Sequence, residues 1–173
     1  MPRVFIGVGS NIDPEHNILA ALRMLGERVR IVGVSTFFRT PALGCADGPA
    51  FHNGAVEIET DMPPRDLKFQ VLRCIEDALG RVRGLDKNAP RPIDLDIAVY
   101  GDALVDEPDL LIPDPNIAMR AFLAVPLLEL DPDLMLPGAN SKLADLAASL
   151  DTGSMVVLDE FTDRLRRELV HES

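Results

Sequence analysis

Asp94-Leu95-Asp96 is the sharpest chemical feature of the chain. On a strand, residues two apart project to the same face, so both carboxylates point one way and Leu95 the other. Like charges that close repel, and each raises the other's pKa unless a cation lies between them. Magnesium answers that need, since it takes carboxylate oxygens together with substrate phosphates. The segment just before the pair is basic: Arg81, Arg83, Lys87 and Arg91 are interrupted by one acid, Asp86, in a chain of net charge −11. Guanidinium forks suit phosphate oxygens. A basic loop running into paired acids is what a metal–triphosphate complex requires. The plainer readings are two acids on a solvated strand and a loop that pairs with nearby acids. Together the two features favour phosphate chemistry.

Other candidates carry less. Gly7-Val8-Gly9 lacks the third glycine of a dinucleotide fingerprint, with Ile12 in its place, and no Walker lysine follows. His16 and His52 read as surface or turn residues, and Ser10 has no histidine near it to form a hydrolase triad. Cys45 and Cys74 show no CxxC spacing, so neither a disulfide framework nor a zinc site is expected.

The acids and the basic loop need a scaffold, and hydrophobic periodicity supplies one. Val4 to Val8 reads as a strand that turns at Gly9-Ser10-Asn11. Asp13-Pro14-Glu15 is a helix start, with Ile18, Leu19, Leu22 and Leu25 at helical spacing and Gly26 as a stop. A second strand is expected over 29–38 and a third over 54–59. A second helix opens at 61–64, carries Leu67, Val71, Ile75 and Leu79, and ends at Gly80. Residues 93–100 form a fourth strand, and a third helix is expected over 118–129. The order β-α-β-β-α-β is the split βαβ plan: an α+β fold with an antiparallel sheet and helices on one face. The connections 39–53 and 81–92 are long and rich in proline and glycine, which suits a site.

At 173 residues the chain fits one domain; we expect it over 1–150, with a helical tail over 151–173. The acidic balance argues against nucleic-acid binding. No apolar run is long enough for a membrane span or a signal peptide, so a cytoplasmic protein is expected.

Several segments together resemble the 6-hydroxymethyl-7,8-dihydropterin pyrophosphokinase family. They are Gly9-Ser10-Asn11, the run from Phe38 to Gly44, the run from Phe51 to Val56, Gly80-Arg81-Val82-Arg83, the run from Pro90 to Ile97, and Arg120-Ala121-Phe122-Leu123. The resemblance implies the ferredoxin-like fold and transfer of diphosphate from ATP to a pterin alcohol by a monomer that uses two magnesium ions. It implies that Asp94 and Asp96 hold the metals while Arg81 and Arg91 grip the phosphates. It places Thr40, Pro41, Leu43, Phe51, Asn53 and Phe122 around the pterin. Glu76, Arg83, Lys87, Arg91, Ile97 and Arg120 fall on the ATP side.

The nucleotide side departs from the family pattern. Asp114 stands where a histidine is usual, Asp109 where a basic residue is common, and Asn88 where tryptophan is often found. Two alternatives share the pterin side: a paralogue with a related pterin or altered nucleotide handling, and a pterin-binding module without turnover.

Overall fold

The computed structural model describes residues 1–42, 48–84 and 90–170. In chain order, β1 (Arg3–Ser10) leads to α1 (Pro14–Gly26), β2 (Arg30–Val34), β3 (Phe38–Thr40) and β4 (Phe51–Glu59). A long helix follows as α2 (Pro64–Asp66), a π-helical stretch (Leu67–Leu72) and α3 (Arg73–Ala78). Next come β5 (Asp94–Tyr100), a hairpin of β6 (Val105–Glu107) and β7 (Leu110–Ile112), and α4 (Ala121–Leu130). The C-terminal part holds β8 (Met135–Leu136), β9 (Ser141–Lys142), α5 (Leu143–Ala147), β10 (Val156–Val157) and α6 (Asp159–Leu169).

β1 is apolar on both faces: Val4, Ile6 and Val8 are buried on one and Phe5 on the other. A strand buried twice over needs a layer on each side. β4 and β5 flank it, both antiparallel, while β2 and β3 pair along the outer edge of β4 and β10 adds to β3. This is the expected α+β sheet.

The first layer is α1, the α2–α3 helix and α6. Ile18, Leu22 and Leu25 pack there with Leu67, Leu72, Phe161 and Leu165. Each fully buried aliphatic side chain contributes about 1.5–3 kcal/mol. The two helices of the split βαβ unit thus share one face, as expected. Helix α4 takes the opposite face, setting Leu123, Ala124 and Leu127 against Phe5 and Ala55. Among the described residues, no helix is long and apolar enough to cross a membrane.

Three boundaries differ from the sequence reading, two of them because side chains compete for backbone hydrogen bonds. The single strand expected over 29–38 is two strands. Ser35 Oγ accepts from Ala55 N at 2.9 Å, and Glu129 takes the amide and hydroxyl of Thr36, so the chain leaves the ladder between β2 and β3. β4 starts at Phe51 rather than Gly54, because Phe38 to Thr40 pair with Asn53 to Phe51. Helix α4 starts at Ala121 rather than near 118, because Asp114 Oδ1 accepts from Asn116 N at 2.9 Å and sets a turn through 114–119.

Gly54 marks the tightest packing behind the site. A Cβ there would lie 2.6 Å from the Phe37 ring, which is itself fully buried. Gly54→Ala should destabilise the fold by about 1–3 kcal/mol through overpacking, measured by denaturant unfolding; an unchanged midpoint would mean that Phe37 yields freely.

Candidate active site

The α4 face of the sheet is hollowed where β1 carries glycine. A Cβ at Gly7 would meet Leu123 at 3.1 Å, and one at Gly9 would meet Asn53 Oδ1 at 2.6 Å. Both glycines clear the floor of a cleft of about 430 Å³. Gly7-Val8-Gly9 therefore serves as a floor, a use that spacing alone does not reveal. One wall comes from β3 and β4. Asn53 Nδ2 donates to Thr40 Oγ1 at 2.8 Å, with both residues buried. Pro41 and Phe51 stand beside them, and Phe122 closes the opposite side from α4.

The acidic wall belongs to β5. Asp94 and Asp96 share a face, paired across the ladder with Gly9 and Gly7, and both line the cleft. Asp96 is open to the cleft yet sits deep within it. That desolvation is the largest cause holding its carboxyl well above the usual range, and the charges of Asp94, Asp114 and Glu76 add to it. Asp94 is gripped instead: Arg81 Nη1 reaches one oxygen at 2.9 Å and Arg91 Nη1 the other at 3.1 Å. The Arg91 backbone is fixed in turn, its N–H donating to Asn11 Oδ1 at 2.7 Å.

Behind β5 lies a buried carboxylate. Glu76 is 5% exposed; it accepts from Arg81, from Arg83 Nη2 at 2.5 Å and from Leu95 N at 3.1 Å. Burial pushes its pKa up, while Arg81, the Leu95 amide and Arg83 pull it down. Glu76 thus ties the helix, the two arginines and the strand between the acids into one network.

A second cleft of about 420 Å³ meets the first along Asp96, Asp114 and Asn116. Ile97, Leu110 and Leu111 give it aliphatic lining, and Lys68 and Arg73 give it positive charge. Those two cations escaped the sequence reading. Five residues apart, they diverge on an α-helix of 3.6 residues per turn, but on the π-helical stretch they stack. The Arg73 amide donates directly to the Lys68 carbonyl. Their guanidinium and ammonium groups stand 4.8 and 5.2 Å from the Phe69 ring centre.

The acids that depart from the family pattern fall differently. Asp109 lines the second cleft but is paired with Arg65 of α2 at 2.7 and 3.0 Å, which offsets its charge. Asp114 lines both clefts, and burial is the main cause of its raised pKa.

Among the expected site residues, Thr40, Pro41, Phe51, Asn53, Phe122, Arg91, Asp94, Asp96 and Arg120 all line the first cleft. Ile97 lines the second. Arg81, Arg83 and Glu76 line neither and form the network behind. Leu43 and Lys87 lie outside the described residues. No group of three or more histidine, cysteine or carboxylate side chains among the described residues is placed to hold a metal ion. The two aspartates fit magnesium only if a substrate's phosphates complete the shell, as that ion commonly allows.

Residues 5–132 match the family model described as 7,8-dihydro-6-hydroxymethylpterin-pyrophosphokinase. A 2-amino-4-hydroxy-6-hydroxymethyldihydropteridine pyrophosphokinase of Pseudomonas aeruginosa is 42% identical over 139 residues, 78% of this chain and 84% of the relative. One of Methylorubrum extorquens is 40% identical over 80% of this chain and 88% of the relative. Among solved structures, the Plasmodium falciparum HPPK-DHPS wild type with pteroate shares the fold with a TM-score of 0.66 at 13% identity, over 96% of this chain. This chain spans 43% of that longer one.

Because their folded pKa values are raised, Asp96, Asp114 and Glu76 contribute stability that is fully present below the ordinary carboxylate range and is lost as pH rises through the raised values. In magnesium-free protein, Asp96→Asn should therefore raise the thermal midpoint by a few degrees at neutral pH, with the gain vanishing near pH ~4. A pH-independent gain would contradict the electrostatic cause.

Proposed function

Because the chain belongs to the 7,8-dihydro-6-hydroxymethylpterin-pyrophosphokinase family, we propose that it transfers diphosphate from ATP to 6-hydroxymethyl-7,8-dihydropterin in folate biosynthesis, releasing AMP. The observation that carries this reading is the shared wall of the two clefts. Asp96 and Asp114 face both a pocket whose β3, β4 and α4 sides are neutral and partly aromatic and a pocket bordered by two cations. A flat heterocycle suits the first, where Phe51 and Phe122 offer ring faces and Asn53 can donate and accept at a pteridine edge. A nucleotide suits the second.

In this reading the pterin hydroxymethyl oxygen attacks the β-phosphorus of ATP in line and gives up its proton. The bond from that phosphorus to the α-bridging oxygen breaks, and AMP leaves. Asp94 and Asp96 would hold two magnesium ions, which when bound neutralise the phosphate charge and lower the hydroxyl's pKa. Thr40 and Asn53 orient the pterin, so that attack starts from a fixed geometry. Arg91 and Arg120 reach the first cleft to meet phosphate oxygens. Arg81 and Arg83 keep the acid-bearing strand in place through Glu76, and Arg81, which also donates to Asp94, would turn to phosphate oxygens if a metal held that carboxylate.

Lys68 and Arg73 join the ATP side. Asp114 supports a variant of the same reading, with altered nucleotide handling, because its charge faces the phosphates' path. A carboxylate ~6 Å from a phosphate charge at an effective dielectric of ~20 costs roughly 2–3 kcal/mol. We take the enzyme as a cytoplasmic monomer, as suits one whose two substrates are small soluble molecules.

Purified protein given ATP, magnesium and the dihydropterin alcohol should form AMP only when the pterin is present, and Asp96→Asn should lower that rate at least about 10³-fold. AMP formed without pterin, or none at all, would overturn the assignment. In the same assay Arg73→Ala should raise the KM for ATP several-fold and Asp114→Asn should lower it about a hundredfold; no change in either would place the nucleotide elsewhere.

A further inference from the structure

The pterin-side wall hangs from a short strand. β3 has three residues and ends at Thr40, whose hydroxyl accepts from Asn53. So short a strand near a sheet edge has little stability of its own. The residue before it, Phe37, is fully buried, and its backbone groups are both satisfied from the far end of the chain. Its N–H donates to Thr162 Oγ1 at 2.9 Å, and its carbonyl accepts from Leu158 N at 2.9 Å. β10 then pairs Val157 with Phe38 and Val156 with Arg39.

Side chains continue the link. The Phe161 ring stands edge-on to Phe37, 5.7 Å between centres and 77° between planes. Phe37 lies directly under Gly54, beside Asn53. Phe161 also packs 6.1 Å from His52, whose side chain leaves β4 on the face away from the cleft. Further along α6, Arg166 donates to Val34 O at 3.0 Å and to Glu129 Oε1 at 2.9 Å. The contacts thus grip the turn 35–37 from Val34 to Phe38. All of them come from a segment beyond residue 132, where the family match ends.

We infer that the C-terminal segment 156–166 sets the pterin wall from behind the sheet, with Thr162 and Phe161 as positioning residues that act through Phe37 on Thr40 and Asn53. The inference rests on the pterin reading of the first cleft. Neither residue touches the cleft. Their effect is therefore on where the Thr40–Asn53 pair stands, and it falls on one substrate. The second cleft is lined from other elements: the α2–α3 helix, β5, the hairpin and the turn after it. ATP affinity is accordingly independent of α6.

The test uses the full chain with Thr162→Val, which keeps the shape but removes the acceptor for the Phe37 amide, and Thr162→Ser, which restores it. Pterin and ATP affinities are measured by titration, and exchange of the Phe38 to Thr40 amides by mass spectrometry. Thr162→Val should weaken pterin binding about tenfold, hold ATP binding within about twofold, and speed exchange at 38–40; Thr162→Ser should return all three towards wild type. Phe161→Leu should act in the same direction, more weakly. Wild-type pterin affinity and exchange in Thr162→Val would overturn the inference, as would equal loss of both substrates. If the wild type bound no pterin, the functional reading would fall, while the exchange comparison would still decide the positioning role.

Discussion

Repulsion between carboxylates crowded at one end of β5 is the constraint on which the site depends. Asp94 and Asp96 project to one face, Asp114 approaches from the turn after the hairpin, and Glu76 lies behind. Left alone, such a cluster would splay or take up protons. The protein answers asymmetrically. Asp94 is clamped between Arg81 and Arg91, whereas Asp96 faces the cleft with no ion pair among the described residues. In the proposed reading a divalent cation that arrives with phosphate relieves this repulsion.

Glu76 makes the asymmetry rigid. A buried carboxylate is costly unless its lone pairs are used and cations surround it. Here two arginines and the Leu95 amide do both, and each bond also fixes something the site needs. The helix is tied to the strand, and Leu95 is pinned between the two aspartates. The network stands behind the cleft, so its influence on chemistry runs through the position of β5.

Two clefts that meet at one acidic wall give a transfer enzyme its geometry. In the proposed reading the acceptor and the donor enter from different sides, and the transferred group lies where the sides meet. The glycine floor makes the first side deep enough for a planar ring. The π-helical stretch turns two cations into the second, and the Arg65 clamp keeps Asp109 from opposing them.

The grouping of Thr40, Phe51 and Asn53 was implied only by the family resemblance, whereas the sequence by itself determined the order of the split βαβ strands and helices and the shared face of Asp94 and Asp96. Those follow from periodicity and short-range spacing, which backbone geometry converts directly into direction. Only the tertiary structure decided the second helical layer on the α4 face, since burial on both sides of β1 depends on what the chain later brings there. The split between β2 and β3 was likewise out of reach, because Ser35 and Thr36 draw partners from β4 and α4, far along the chain. Lys68 and Arg73 came together through a π-helical register that the apolar pattern of Leu67, Val71 and Ile75 does not encode. The fates of Asp109 and Asp114 depended on Arg65 and on a local turn. Charge is written in the sequence, but its partner is chosen by distance in the fold.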